Sequence, residues 1–178
     1  MKPPVNVSAW VERFGAGVPA TARVCDVACG GGRHARWFAA RGHHVVALDR
    51  DLGGVADLAD DPRVELVAVD LEDGSPFPVA ARSCGAVVVT NYLWRPILGA
   101  IADTVAPGGV LIYETFAVGN ERFGRPTNPD FLLRRNELLE LALEHDLAVV
   151  AFEDVEVEHP RPAVVQRIAA VRAPSRAS

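Results

Sequence analysis

The sequence predicts an α/β fold: one sheet of seven strands with helices on both faces, five strands parallel and the last two an antiparallel hairpin. Three observations predict it. Short apolar runs alternate with helix-like stretches from residue 23 onward. The early runs are almost continuously apolar, as strands are when both faces of a sheet are covered. Two long β runs near the end are joined only by residues 158–163, which include Pro160 and Pro162. That link is too short for a helical crossover, so the two strands must pair antiparallel.

The elements follow in order. Residues 23–28 form a short apolar run with Asp26 inside it, broken by Gly30–Gly32. Residues 33–41 read as a helix on Ala35, Trp37, Phe38 and Ala39, ended by Gly42. Residues 44–48 are a second strand, closed by Asp49, and 52–59 a short helix. Residues 64–69 are a third strand, closed by Asp70, and 74–83 a loop with two prolines. Residues 86–90 are a fourth strand. Residues 97–105 are a helix, stopped by Pro107-Gly108-Gly109 before a fifth strand at 110–113. Residues 115–128 read as a long irregular segment. Residues 130–145 have the leucine spacing of an amphipathic helix, with Leu132, Leu133, Leu138, Leu139 and Leu141 near one face. Residues 148–157 and 164–171 are the closing strands.

A chain of 178 residues, 49% hydrophobic, is the size of one domain with a real core. Its formal net charge of -5 and pI near 5.5 leave no basic stripe, which argues against nucleic acid or an anionic membrane as partner. Cys25, Cys29 and Cys84 complete no zinc spacing, so no metal and no structural disulfide are expected. Sparse cysteines suit a reducing compartment. Met1-Lys2-Pro3-Pro4 leads into no apolar signal region, and no stretch nears the ~18 apolar residues of a membrane helix. The expectation is a cytoplasmic monomer or homodimer. It is read as a single domain over 1–178, with an N-terminal lid helix in 1–20 and a flexible tail at 173–178.

The strongest local signal is Val24-Cys25-Asp26-Val27-Ala28-Cys29-Gly30-Gly31-Gly32-Arg33. A glycine turn between strand and helix lets backbone approach a ligand and aims helix N–H groups at polar atoms. Gly30, Gly32 and Ala35 also satisfy the loose dinucleotide pattern, and a plain tight turn explains a glycine triplet as well. Asp26 tips the balance. A carboxylate there repels a pyrophosphate and suits a cationic amino acid group. Asp26, Asp49 and Asp70, then Asn91, end successive strands at one edge, where open α/β sheets bind ligands. A solvated strand end or a helix cap explains any one of these acids, but not the series. Asp49 is placed to accept two ribose hydroxyls. Asp70 and Leu71 offer hydrogen bonds and an apolar face to an adenine. His34 reads as a surface group at a helix start. Trp10 and Phe14, four apart, read as packing residues of an N-terminal helix.

These residues resemble the class I S-adenosylmethionine-dependent methyltransferases over roughly residues 8–172. Asp26 to Gly32 matches the family's acid-x-Gly-x-Gly-x-Gly motif, with Ala28 in place of the first glycine. Asp49, Val69-Asp70-Leu71-Glu72 and Ala106-Pro107-Gly108-Gly109-Val110-Leu111 match the ribose acid, the adenine-side motif and the turn into strand five. The resemblance implies a Rossmann-like fold and S-adenosylmethionine as cofactor, held by Asp26, Ala28, Cys29, Gly30, Gly32, Asp49, Arg50, Asp70, Leu71 and Asn91. Residues 91–96, 113–116 and 123–133 resemble a bacterial small-molecule branch near the tellurite-resistance methyltransferases. The family's Asn/Asp-Pro-Pro-aromatic tetrapeptide, used on amines of bases or glutamine, is absent.

The expected activity is methyl transfer to a small molecule. The acceptor site is placed at Tyr92, Arg95, Asn120, Arg122 and Arg125, with the arginines offered to an anion. Tyr92 and Glu114 are the catalytic candidates, 115–128 the cap, and the helix around Trp10 the lid. Two rival readings are an NAD(P)-binding oxidoreductase and a non-catalytic S-adenosylmethionine-binding partner protein.

Overall fold

Valine-rich runs with both faces covered become the centre of the sheet. The structure, a computed structural model, describes residues 6–175. The strands are Arg23–Val27 (β1), His44–Asp49 (β2), Val64–Ala68 (β3), Cys84–Thr90 (β4), Val105–Phe116 (β5), Leu147–Val157 (β6) and Ala163–Arg172 (β7). They lie in the order β3-β2-β1-β4-β5-β7-β6. The first five are parallel, and β7 runs antiparallel between β5 and β6.

Four α-helices cover the faces: Ala9–Gly15 (α1), Arg33–Ala39 (α2), Leu98–Asp103 (α3) and Glu137–Glu144 (α4). One core layer joins Trp10, Val11, Ala35 and Phe38 of α1 and α2 to Val24, Ala47, Val88, Ile112 and Ala169. The other joins Ile101, Leu138 and Leu141 of α3 and α4 to Cys25, Val27, Val87, Leu111 and Tyr113. The strand period of two thus sends Val24 and Ile112 to one layer and Cys25 and Tyr113 to the other.

Ser8 caps α1, its hydroxyl accepting from the N–H groups of Trp10 and Val11. The Trp10 indole N–H donates to the Ile168 carbonyl (3.0 Å), and its ring packs 4.7 Å from Phe14. Trp10 is therefore a core residue that fastens α1 to β7. The first five residues of the expected lid segment, which include Met1 to Pro4, and the last three of the expected tail lie outside the described residues.

Three elements differ from expectation. Residues 53–58 form a 3₁₀ helix, Gly53–Leu58, not an α-helix. Its two glycines have poor helix propensity, and a Cβ on Gly54 would sit 3.1 Å from the Gly30 carbonyl oxygen. Pro107-Gly108-Gly109 does not separate α3 from a strand; it lies within β5, which begins at Val105. Cys84 pairs with Val105 and Ala86 with Val110, so the extra β5 residues bulge. Finally, only Glu137–Glu144 of the stretch 130–145 is α-helical. Asn128 caps a 3₁₀ turn, Pro129–Phe131. Leu132 and Leu133 are extended and buried, and Leu133 bridges to Ala117 beyond the end of β5. Asn136, at φ 61, sets the break before α4. Leu133 is spent on a backbone bridge that satisfies the polar groups of Phe116 and Val118.

Gly109 is fixed by close backbone approach. A Cβ there would stand 2.9 Å from the carbonyl oxygens of Ala106 and Cys84. Gly109→Ala is expected to lower stability by ~1–3 kcal/mol, as overpacking does. Urea unfolding followed by circular dichroism checks it.

Candidate functional site

The strand order reverses between β1 and β4, and the loop leaving β1 rises at that point. Ala28, Gly30 and Gly32 all have left-handed backbone, with φ of 51, 53 and 69. Glycine is required at Gly32, where a Cβ would stand 2.2 Å from Val55 Cγ1. Ala28 accepts strain where the resemblance expects glycine. Two bonds tie the loop to β2: Cys29 N–H to the Leu48 carbonyl (2.9 Å), and Gly30 N–H to Asp49 Oδ2 (2.8 Å). Arg36 of α2 braces it from behind, donating to the carbonyls of Gly31 and Gly54 and pairing with Asp57.

A cavity of about 360 Å³ opens at this edge, lined by Ala28, Asp49, Arg50, Asp70, Leu71 and Tyr92 together with Val69, Glu72 and Phe131. The first six were named from sequence. Asp49 Oδ1 accepts from Asp51 N–H (3.0 Å), and Asp70 Oδ1 from Glu72 N–H (2.9 Å). A second cavity, of about 240 Å³, adjoins it, and Glu72, Tyr92 and Phe131 line both. Asn91, Thr115, Phe116 and Pro126 contribute to its remaining wall. Asn91 is left-handed (φ 55), a conformation asparagine tolerates, and its N–H donates to the Glu114 carbonyl.

Sequence reasoning missed Glu72 and Phe131 as lining residues. Glu72 sits inside the quoted adenine-side motif. Phe131 was hidden by the assumption of a helix from residue 130; an exposed aromatic off its leucine stripe was the available signal.

Other predicted residues are placed differently. Asp26 lines neither cavity. It shares the α2 side of β1 with Val24, and its Oδ2 accepts from Ala35 N–H (2.9 Å) in the first turn of α2. Burial is the main cause that pushes its carboxyl up to about 7. Glu114 is also spent: Oε1 accepts from Ser8 Oγ (2.7 Å), and Oε2 from Arg167 (3.2 Å). It faces α1, because the period of two puts Tyr113 and Thr115 on the other side of β5. Arg95 uses every guanidinium nitrogen on protein: on both Glu137 oxygens and on the carbonyls of Asp130 and Leu132. Asn120 is buried and bridges Val164 N–H to the Pro126 carbonyl. Arg122 pairs with Glu156 and Gly119. Arg125 is exposed and lines neither cavity. Arg95, Asn120 and Arg122 thus fasten the segment after β5.

His34 is no surface group. It is 2% exposed, Ser8 N–H donates to its Nε2 (3.3 Å), and Nδ1 faces Thr90 Oγ1 (3.5 Å). Burial, then the Arg33 charge, holds its pKa down to about 3, so the ring is neutral. The three cysteines are free and buried, and burial pushes the Cys29 thiol up to about 12.

Residues 24–109 match a family described as a methyltransferase domain. With that match, the seven-strand order and the antiparallel hairpin give the chain the fold of the class I S-adenosylmethionine-dependent methyltransferases. Three solved structures show the same fold. The 1,6-didemethyltoxoflavin-N1-methyltransferase of Burkholderia thailandensis, which holds 1,6-didemethyltoxoflavin and S-adenosylhomocysteine, is 19% identical, with a TM-score of 0.70 over 93% of this chain and 77% of that one. A TehB-like S-adenosylmethionine-dependent methyltransferase of Corynebacterium glutamicum is 17% identical, with a TM-score of 0.67 over 94% of this chain and 89% of that one. The [4+2]-cyclase SpnF is 16% identical, with a TM-score of 0.71 over 93% of this chain and 79% of that one. None of the curated proteins matches the sequence. Among the described residues, no helix is long and apolar enough to cross a membrane.

Two variants test these placements. At pH 8 the buried Asp26 is ionised in the folded chain at a cost, whereas at pH 5 it is protonated there and ionised when unfolded. Its folded pKa is raised, so its stabilising contribution is present below the unfolded value near 4 and is lost as pH rises through about 7. Asp26→Asn is expected to gain roughly 2–4 kcal/mol over the parent at pH 8 and much less at pH 5. Unfolding curves at the two pH values decide. Glu137 gives the second case. Burial pushes its carboxyl up, but the bonds from Arg95 and Arg134 outweigh that and hold it below the ordinary glutamate range. Arg95→Met strands this acid, whose side chain is 8% exposed. The variant should lose ~2 kcal/mol, less than a fully buried broken pair. Its thermal midpoint should fall by about 4–8 °C, on the basis of ~2–4 °C per kcal/mol at this size.

Proposed function

We propose that this protein transfers the methyl group of S-adenosylmethionine to a small-molecule acceptor, with cofactor and acceptor in the two adjoining cavities. The observation that carries it is the shared wall: Glu72, Tyr92 and Phe131 line both spaces at the switch point of the sheet. The residues present fit the cofactor. Asp49 closes β2 on the cavity with a carboxylate for a ribose diol, and each oxygen already spent on one N–H retains accepting capacity. Asp70 and Leu71 offer an acceptor and an apolar face to an adenine, and the left-handed loop at Ala28–Gly32 brings backbone close.

The bound cofactor supplies a sulfonium methyl that is already activated. The chain's own work is then to orient and enclose. Tyr92 and Phe131 form the partition between the cavities, and Asn91 and Thr115 give the acceptor side polar edges. Placing a nucleophile in line with the methyl captures most of the available acceleration. Asp26 takes no ligand in this scheme; it caps the helix that supports the loop. The segment Asn6–Ser8 crosses the same edge, held by Arg33, His34 and Glu114, and serves as cover. We further assign the chain as one domain, acting in the cytoplasm as a monomer or homodimer on a small molecule and not on nucleic acid.

The oxidoreductase reading loses to the terminal hairpin and the family match rather than to charge at Asp26, which faces away from the cavity. S-adenosylmethionine and S-adenosylhomocysteine should bind, and NADH should not. Asp49→Ala should weaken S-adenosylhomocysteine at least tenfold, since each hydrogen bond to a charged group is worth ~1.5–3 kcal/mol. Its circular dichroism should not change. Calorimetric titration checks both. NADH binding without a response to S-adenosylhomocysteine would reverse the assignment.

A further inference from the structure

The second cavity has a distinctive chemistry. Its wall carries three aromatic rings, Tyr92, Phe116 and Phe131, and a single carboxylate, Glu72. Arg50 is the one cation lining either cavity among the described residues, and it lies in the first. The arginines that sequence spacing offered to an anion are elsewhere. Arg95 is saturated by Glu137 and two carbonyls, Arg122 pairs with Glu156, and Arg125, beside Pro126 of the wall, projects to solvent.

Tyr92 sharpens the picture. Its hydroxyl oxygen is buried without a hydrogen-bond partner among the described residues. Burial, then the charges of Glu72 and Asp70, pushes its pKa up, so the group stays a neutral hydroxyl. It is a buried polar atom beside the Glu72 carboxylate, on the wall the two cavities share. Aromatic faces attract cations and planar neutral rings, and a lone carboxylate repels an anion. A space of about 240 Å³ is smaller than the ~300–1,000 Å³ of drug-sized sites, so it admits one or two rings.

We propose that the acceptor is a planar small molecule, cationic or uncharged, and that an oxyanion is excluded. Tyr92, Phe116 and Phe131 embrace its ring system, and Glu72 sets the preference for charge. This deepens the methyltransferase assignment and rests on it.

The test uses protein saturated with S-adenosylhomocysteine, titrated at pH 7 with three probes of one shape: 2-naphthylmethylammonium, 2-naphthol and 2-naphthoate. The ammonium and the naphthol are expected to bind at least tenfold more tightly than the naphthoate. Glu72→Gln should bring the ammonium down to the affinity of the naphthol. Phe131→Ala, at a 43% exposed position that leaves folding intact, should weaken both by about tenfold. Naphthoate binding as well as or better than the other two overturns the proposal, most directly if Arg125→Ala then abolishes it. Failure of all three probes to bind the loaded protein overturns it as well. Because loading with S-adenosylhomocysteine is measured first, failure of the cofactor assignment shows at that step and is distinct from failure here.

Discussion

The reversal of strand order between β1 and β4 is the constraint on which the site depends. A sheet whose order reverses between β1 and β4 leaves a crevice above those strand ends. The loop leaving β1 must then turn sharply enough to start α2 without blocking the crevice. Left-handed backbone at Ala28, Gly30 and Gly32 makes the turn, and two bonds to the end of β2 hold it. One of those bonds ends on Asp49, the residue assigned to the ribose. The same carboxylate therefore positions the loop and lines the cavity, so the two are mechanically coupled.

Much of this was legible in the sequence because it rests on short-range rules. Apolar runs bounded by Gly, Pro and Asp marked every strand, and a short proline-bearing link forced the antiparallel hairpin. Asp49, Arg50, Asp70 and Leu71, which line the first cavity, end or follow strands directly, so strand ends located them. Errors arose where the period of two was not applied to the candidates themselves. Asp26 and Glu114 are at the right edge, but each falls on the side of its strand that faces α1 and α2. There they accept from Ala35 N–H and Ser8 Oγ.

The second class of error was tertiary override. Leu132 and Leu133 have helical spacing with Leu138 and Leu141, yet they lie extended, and the backbone of Leu133 satisfies groups at the end of β5. That bridge also explains the arginines. A strand-like segment followed by a left-handed Asn136 exposes carbonyls that a helix would have consumed, and Arg95 answers two of them, at Asp130 and Leu132. An arginine near a predicted ligand edge looks like an anion receptor in sequence. Its guanidinium goes first to unpaired backbone oxygens and a buried acid, because leaving those unmade is costly.

Asp26 and His34 carry the same logic into solution behaviour. His34 sits in the first turn of α2 and Asp26 in β1 beneath it, and burial disfavours the charged form of each. It pushes the acid up to about 7 and the base down to about 3. The consequences oppose one another. Between roughly pH 4 and 6.5 the unfolded chain ionises both groups, while the folded chain keeps His34 neutral and Asp26 largely protonated. As pH falls through that window, His34 costs stability because only the unfolded state takes up its proton. As pH falls through the same window, Asp26 restores stability because the folded state already holds its proton. The pair thus flattens the acid side of the stability profile. It does so at the point where α2, the loop and the Ser8 segment meet, through the bonds that Ala35 N–H donates to Asp26 and Ser8 N–H donates to His34.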